Sequence, residues 1–385
     1  MVMGMRRMVV VVVVGIDSED DDDDDDDDDD GGDDENGGAG AGGAGASGDS
    51  DDDDDDEEFL LGKLVGTGGF GLIYDVIRVE SETDEEYVAK IEPIANGPLF
   101  NEFHILQKLG HRKTMADYAR NKDLTRHLAI PQFVAGGIHD FQGKKYRFII
   151  LPKFGDDLRK IFQRYGFFPN KRSVYLIAIQ MLDALEYIHQ HGYVHADIKA
   201  GNILLESNKS VKIKKTTKGY YPVIDRLYLI DYGLAAKYIQ NNKHKPYCEA
   251  SRKAHQGTLF YTSIDAHKGV AQSRRGDLQN LGFCLLEWLT GSLPWRKKTI
   301  KDKVKKSKEL LMSRLSRVSD EYLKTYFKYV TTMRYEEKPN YEELRLLFNK
   351  AVKECSYENV VRMTLRRRTT LHKEQSVSRR TDGFL

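Results

Sequence analysis

Tyr193-Val194-His195-Ala196-Asp197-Ile198-Lys199-Ala200-Gly201-Asn202, followed after a lysine-rich insertion (Lys212, Lys214, Lys215, Lys218) by Leu229-Ile230-Asp231-Tyr232-Gly233, is the part of the chain whose reading decides the rest. Ahead of it, Val174, Ile177, Met181, Leu185 and Ile188 recur at helical spacing until Gly192 stops the helix. The polar residues of the quoted stretch suit phosphoryl transfer. Asp197 would accept the proton of a substrate hydroxyl or orient that hydroxyl. Lys199, two residues on, would neutralise the transferring γ-phosphoryl group, and Asn202 and Asp231 supply the oxygen ligands that Mg²⁺ prefers. Any one of these residues taken alone would read as a solvated loop residue.

Working outward towards the N-terminus, Leu60 to Val65 and Leu72 to Val79 predict two strands, with Gly66-Thr67-Gly68-Gly69-Phe70-Gly71 between them. The spacing G-x-G-x-x-G also occurs in dinucleotide-binding folds, where it opens a helix. Here Leu72-Ile73-Tyr74-Asp75-Val76 continues as strand, so the hairpin can lie over ATP and let backbone amides approach the phosphates. A glycine-rich hairpin with no ligand would show the same pattern. Val88-Ala89-Lys90 reads as a strand, and Glu102 lies on a helical pattern with Phe103, Leu106 and Leu109. Lys90 can hold the α- and β-phosphates if Glu102 fixes its ammonium, although a surface salt bridge would look alike. Phe148 to Leu151 reads as a buried strand running into Pro152-Lys153-Phe154-Gly155, a hinge segment. Pro152 keeps its carbonyl and Phe154 keeps both backbone groups, so adenine could be bonded by backbone there.

Charge divides the chain. Residues 1–58 hold 25 acidic residues against Arg6 and Arg7, a charge of -23, while the remainder holds 57 basic and 35 acidic residues, a charge of +22. The Asp runs and the Gly/Ala stretch between them cannot bury apolar surface, so residues 1–58 are expected to be disordered and acidic. The apolar run Met8 to Ile16 is too short to span a bilayer, and no small-residue cleavage site follows it. The basic body would attract polyanions, although solvated lysines give the same composition. Cys248, Cys284 and Cys355 form no CxxC or Cys/His cluster, so neither a disulfide framework nor a zinc site is supported, which points to a reducing compartment.

At these residues the chain resembles the protein kinase family, with Lys199 after Asp197 matching the serine/threonine pattern. Gly257 to Gly269 stands where most kinases carry A-P-E. With Ser273-Arg274-Arg275-Gly276-Asp277 and Leu293-Pro294-Trp295, it resembles the casein kinase 1 group. Asn96 to Phe100, Tyr146-Arg147-Phe148, Asp231-Tyr232-Gly233 and Ser263-Ile264-Asp265-Ala266-His267 look specifically like vaccinia-related kinases. The resemblance covers roughly residues 59–350. It implies an α+β, bilobal kinase fold, with a mainly β N-lobe at 59–151 and a hinge and mainly helical C-lobe at 152–355.

It also implies a serine/threonine kinase that uses ATP and magnesium and acts on nuclear, chromatin-associated proteins. Implied roles are catalytic for Asp197, Lys199, Lys90 and Glu102. Nucleotide contacts fall to Gly66, Thr67, Gly68, Gly69, Phe70, Gly71, Lys90, Pro152 and Phe154, and metal ligation to Asn202 and Asp231. Expected partners are proteins offering Ser or Thr, with chromatin proteins or nucleic acid on the basic body. No membrane partner is expected, and the enzyme is read as a monomer of the nucleus or cytoplasm.

Two departures stand out. Ala196 occupies the position of the usual arginine, so it cannot pair with a phosphate on the activation segment, and relatives commonly carry Gly there. Pro152 replaces an acidic hinge residue. One member type of the family is a degraded pseudokinase, but this chain keeps Lys90, Asp197, Asn202 and Asp231. A catalytically weak ATP-binding scaffold remains the alternative. Arg274 and Arg275 could meet an acidic or phosphorylated substrate, or could hold the unusual activation segment. The tail after about Tyr357, basic and rich in Ser and Thr, reads either as a nuclear-import or nucleic-acid patch or as a solvated tail.

Overall fold

The computed structural model describes residues 9–12, 57–67, 71–79, 85–124, 127–165, 170–207, 212–216, 219–223, 226–250, 252 and 254–355. The two Asp runs, the hairpin tip Gly68-Gly69-Phe70, Lys218 and the basic tail lie outside these residues.

The described chain divides into two compact units, and the first comprises residues up to Pro93 together with Val134–Ile150. It is built on one antiparallel sheet of β1 (Val9–Val12), β2 (Glu57–Thr67), β3 (Leu72–Arg78), β4 (Tyr87–Pro93), β5 (Ala135–Phe141) and β6 (Lys144–Pro152), in the order β1-β2-β3-β4-β6-β5. β1 pairs with β2 from Val9 opposite Leu60 to Val12 opposite Glu57. These four residues therefore form an edge strand inside a segment whose composition reads as disordered, because a run of β-branched valines can add to a free sheet edge even beside an acidic run. The core of this unit is Phe59, Val76, Tyr87, Ala89, Ala135, Phe148 and Ile150. Alternation along β4 buries Tyr87 and Ala89 and turns Lys90 to the other face.

The second unit comprises Ile94–Phe133 and the chain from Leu151 onward. Its helices are α1 (Pro98–Leu109), α2 (Arg112–Asn121), α3 (Leu158–Tyr165), α4 (Lys171–Gln190), α5 (Ile264–His267), α6 (Arg274–Thr290), α7 (Lys301–Ser313), α8 (Glu321–Thr332) and α9 (Tyr341–Glu354). Short antiparallel pairs join β7 (Tyr193–Val194) to β12 (Ala236–Lys237), β8 (Ile203–Leu205) to β11 (Leu227–Leu229), β9 (Lys212–Thr216) to β10 (Gly219–Val223), and β13 (Ile239–Gln240) to β14 (Lys243–His244). The lysine-rich insertion thus carries the β9–β10 hairpin.

α4 and α6 pack on each other and are buried along most of their length, α4 against α9 and α6 against α8. Trp288, Trp295, Tyr175, Phe283, Tyr326, Phe327 and Phe348 fill the space around them. Side-chain caps start five of the helices: Asn170 on Ser173, Ser263 on Ala266, Ser273 on Gly276, Asp320 on Leu323 and Asn340 on Glu343. Gly192 follows α4 at φ +82°, a left-handed turn that glycine adopts without strain.

Residues 94–133, read from sequence as part of the N-lobe, group with the second unit. Asn101 on α1 donates to the carbonyls of Tyr232 (3.2 Å), Gly233 (3.2 Å) and Ala235 (2.7 Å), and the Tyr187 hydroxyl on α4 donates to Leu109 O at 2.7 Å. Lys122 pairs with the buried Glu186 at 2.7 Å. Hydrogen bonds of this kind leave no periodic trace in the sequence. Among the described residues, no helix is long and apolar enough to cross a membrane.

Candidate active site

The centre of the second unit is the loop between β7 and β8. β7 ends at Val194, the chain turns through His195–Lys199, and a single 3-10 turn over Ala200–Asn202 leads into β8. Its backbone is held from beneath by one face of α6. Asp277 accepts from the amides of His195 (2.7 Å) and Ala196 (2.8 Å), Asn280 donates to Ala196 O (3.2 Å), and the Cys284 thiol donates to Ile198 O (3.3 Å). Positions 277, 280 and 284 are spaced to line one side of a helix. Ala196 sits at φ +66°, a left-handed conformation that glycine adopts more readily than alanine.

Asp197 is nearly buried, and both of its carboxylate oxygens are occupied. Oδ1 accepts from the Thr258 hydroxyl (2.6 Å) and amide (3.1 Å). Oδ2 accepts from the Lys199 ammonium and, at 3.3 Å, from Asn202 Nδ2. Lys199 also donates to Thr258 Oγ1 at 3.1 Å. Burial alone would raise the Asp197 carboxyl; the bonds from Lys199 and Thr258 outweigh it and hold the group below its ordinary value, as an anion. Thr258 was not singled out by sequence. It lies 61 residues beyond Asp197, and only its place after Gly257 could have flagged it.

Asn202 is fixed as well. Its Nδ2 donates to Asp197 O at 2.9 Å, which commits the amide nitrogen and directs its Oδ1 away. Its own carbonyl accepts from Ile230 N at 2.9 Å, and Ile203 pairs with Leu229, so Asn202 and Asp231 stand at the same end of the β8–β11 pair. Asp231 adopts φ +68°, and a Cβ placed on Gly233 would come within 3.5 Å of its Oδ1. Two hard oxygen donors with one amide orientation fixed fit a magnesium ion.

Tyr232 is fully buried with its ring edge-on to His195, and its amide donates to Glu102 Oε1 at 3.4 Å. Glu102 is itself buried on α1. Pro152 ends β6, and Phe154 stacks on Tyr228 with ring centroids 4.2 Å apart. In the first unit, Lys90 pairs across the sheet with Ile73, Gly66 with Ile73 and Thr67 with Leu72. The β2–β3 ladder is irregular between Leu61 and Gly66. A Cβ on Gly71 would come within 2.5 Å of Ile91 O, so only glycine fits there.

Arg274 and Arg275 turn inward. Arg275 clasps Asp265 through bonds of 2.8 to 3.0 Å and donates to Met333 O, while Arg274 lies over the Tyr238 ring and donates to Glu336 O at 2.6 Å. Arg275 thus holds Asp265 within the segment Gly257 to Gly269, the structural one of the two roles the sequence allowed, whereas Arg274 bonds Tyr238 and Glu336 outside that segment.

The sheet, the helical unit and this loop define the fold of a protein kinase, and the chain matches the protein kinase domain model over residues 59–373. It is 39% identical over 309 residues to human serine/threonine-protein kinase VRK2, covering 76% of this chain and 56% of that protein. It is 39% identical over 297 residues to the probable serine/threonine-protein kinase FPV212 of fowlpox virus, covering 76% of this chain and 92% of the relative. With nucleosomal histone kinase 1 of Drosophila melanogaster it shares 36% identity over 317 residues, 78% of this chain and 49% of the relative. The solved structure of vaccinia related kinase 3 superposes with a TM-score of 0.66 at 29% identity, over 77% of this chain and 88% of that one. The chain belongs to the vaccinia-related kinase family of protein kinases. It spans little more than half of the human relative's length and about half of the fruit-fly relative's.

Proposed function

We propose that this chain is an active ATP-dependent serine/threonine kinase that phosphorylates nuclear, chromatin-associated proteins. The observation that carries the proposal is the anionic Asp197, held by Thr258, Lys199 and Asn202 in a loop braced by α6. A substrate hydroxyl takes up a place at the Asp197 carboxylate by displacing one of these donors. Its oxygen attacks the γ-phosphorus, the bond from that phosphorus to the bridging oxygen of ADP breaks, and the hydroxyl proton passes to Asp197. Lys199, released from Asp197, neutralises charge on the transferring group. Lys90 and the backbone of the stretch Gly66, Thr67, Gly68, Gly69, Phe70 and Gly71 are assigned to the phosphates on their motifs, and Glu102 keeps the supporting role that its own motif gives it. Pro152 and Phe154 offer backbone groups to adenine. Asn202 and Asp231 would hold magnesium, which supplies charge neutralisation at the phosphate oxygens. The serine/threonine assignment rests on Lys199 and on the named activities of the relatives. The chromatin assignment rests on the excess positive charge beyond residue 58 and on the nucleosomal histone kinase among the relatives.

The test is transfer of radiolabel from ATP to a panel of histones, casein and peptides by the full chain, with Asp231→Ala as control. Label should appear on Ser and Thr, strongest on histones, and fall by about 100-fold or more in the variant, as loss of a positioning and charge-neutralising group requires. ATP binding without transfer to any substrate would leave the scaffold reading in place.

A further inference from the structure

Lys308 lies at the centre of α7 and is fully buried, on the same stripe as Val304, Leu311 and Met312. A lysine at an apolar position is costly to bury unless its donors are all used. Here they are: Nζ donates to the carbonyls of Leu259 (2.9 Å) and Thr262 (2.6 Å), and the third contact is His267 Nε2 at 3.0 Å. The rings of Phe283 and Trp295 stand 5.1 and 5.6 Å from the nitrogen. Trp295 itself donates to the carbonyl of Phe260 at 2.8 Å. Three backbone carbonyls between Leu259 and Thr262 are thus held by Lys308 and Trp295. That strand of chain begins at Thr258, whose amide and hydroxyl both bond Asp197.

We propose that Lys308 is a positioning residue for phosphoryl transfer, acting by fixing the backbone that presents Thr258 to Asp197 and Lys199. The proposal rests on the kinase reading above. The anchor accounts for two features the reaction alone leaves unexplained. The segment from Gly257 to Gly269 stands where most kinases carry A-P-E, and it includes His267, the third partner of Lys308. The catalytic loop also has Ala196 where a guanidinium would receive an activating phosphate. A lysine built into α7 supplies from within the fold the fixation that a phosphate would otherwise bring.

The anchor survives a change of protonation. Burial pulls the Lys308 amine down to about 6, and burial with Lys308 alongside pulls His267 down to about 3. A neutral amine still has two N–H bonds for two carbonyls, and its lone pair can accept from His267 Nε2–H; an ammonium donates to all three. On the far side, His267 Nδ1 meets His255 Nδ1 at 2.8 Å, and His255 Nε2 lies 4.0 Å from the exposed Asp302. The relay can therefore exchange its tautomers without releasing the segment.

The test is steady-state kinetics on the full chain with a serine peptide, comparing wild type, Lys308→Met, Thr258→Ala and the double variant, each checked by its thermal melt. Lys308→Met should lower kcat about tenfold or more with KM for ATP unchanged within about twofold, because misplacement by a fraction of an ångström is enough. Thr258→Ala should lower kcat in the wild type and add less than about twofold in the Lys308→Met background, the non-additivity of residues that act through one another. Equal losses from Thr258→Ala in both backgrounds, or a rise in KM for ATP that accounts for the change, would overturn the proposal. If Lys308→Met does not fold, the same cycle is run with His267→Gln, which removes only the third partner; a smaller kcat loss with the same non-additivity is expected, and additivity there is equally contrary. Failure of the wild type to transfer phosphate would instead reject the kinase reading itself.

Discussion

Ala196 carries strain that the loop around it enforces. Its φ of +66° is held by its own amide on Asp277 and its carbonyl under Asn280. A side chain in this region costs roughly 1–2 kcal/mol, and glycine gives back about 0.4–1 kcal/mol through the greater freedom of its unfolded chain. Ala196→Gly should therefore stabilise the second unit by up to about 1.6 kcal/mol, seen as a rise of a few degrees in its melting temperature. A lower melting temperature would show that the left-handed turn is not strained. Asp197, Lys199 and Asn202 were legible from sequence because their spacing is a local pattern. Thr258, Asn280 and Cys284 were not, because each reaches the loop from a distant stretch. The exchange of bonds among Asp197, Thr258 and Lys199 depends on how the chain folds back at Gly257, where a Cβ would come within 3.2 Å of Ala196 O.

Among elements, the helix of Val174 to Ile188 announced itself by its spacing, and the strands about Gly66 by their β-branched residues. α6 and α7 hid their roles. α6 is buried on all sides, so periodicity distinguishes no face for Asp277, Asn280 and Cys284. α7 shows a lysine at position 308 of an apolar stripe, a signal that is visible once 304, 311 and 312 are set beside it.

Imidazoles that burial holds neutral set a pH dependence. His189, on α4, bonds Asp277 at 2.9 Å and the Tyr341 hydroxyl; burial, partly offset by Asp277, lowers it from the ordinary 6.5. His267 falls to about 3, and His127 is also lowered, first by burial. Each stays neutral in the folded protein while its unfolded counterpart takes up a proton below about pH 6.5, so folding loses stability as pH falls through that value. Lys308 acts in the same sense over the range from about 6 to 10.5, because the unfolded chain holds a proton that the folded one has released. Scanning calorimetry from pH 5 to 8 should show the melting temperature rising with pH, with a shallower slope in His267→Gln below pH 6.5. A melting temperature that is flat or falls over this range would contradict these buried neutral groups.

For the whole molecule, the fold class was legible because the glycine-rich stretch, Lys90, Glu102, His195 to Asn202 and Asp231 to Gly233 follow one another in kinase order. The grouping of residues 94–133 with the helical unit was not, since it rests on Asn101, Tyr187 and Lys122 reaching partners far along the chain. Nor was the edge strand Val9–Val12, whose valines lie inside a segment, residues 1–58, of charge -23. One carboxylate, Asp197, is held as an anion by Thr258 and Lys199 and presented by a loop that α6 braces, while Lys308 of α7 holds the backbone that follows Thr258. The most direct measurement is phosphoryl transfer by purified Asp197→Asn beside the wild type, with nucleotide affinity and the thermal melt recorded on the same samples. Loss of the proton acceptor should lower kcat by about 10²–10⁴-fold while ATP affinity and melting temperature stay close to wild type. Near-normal turnover in a folded Asp197→Asn protein would contradict the account.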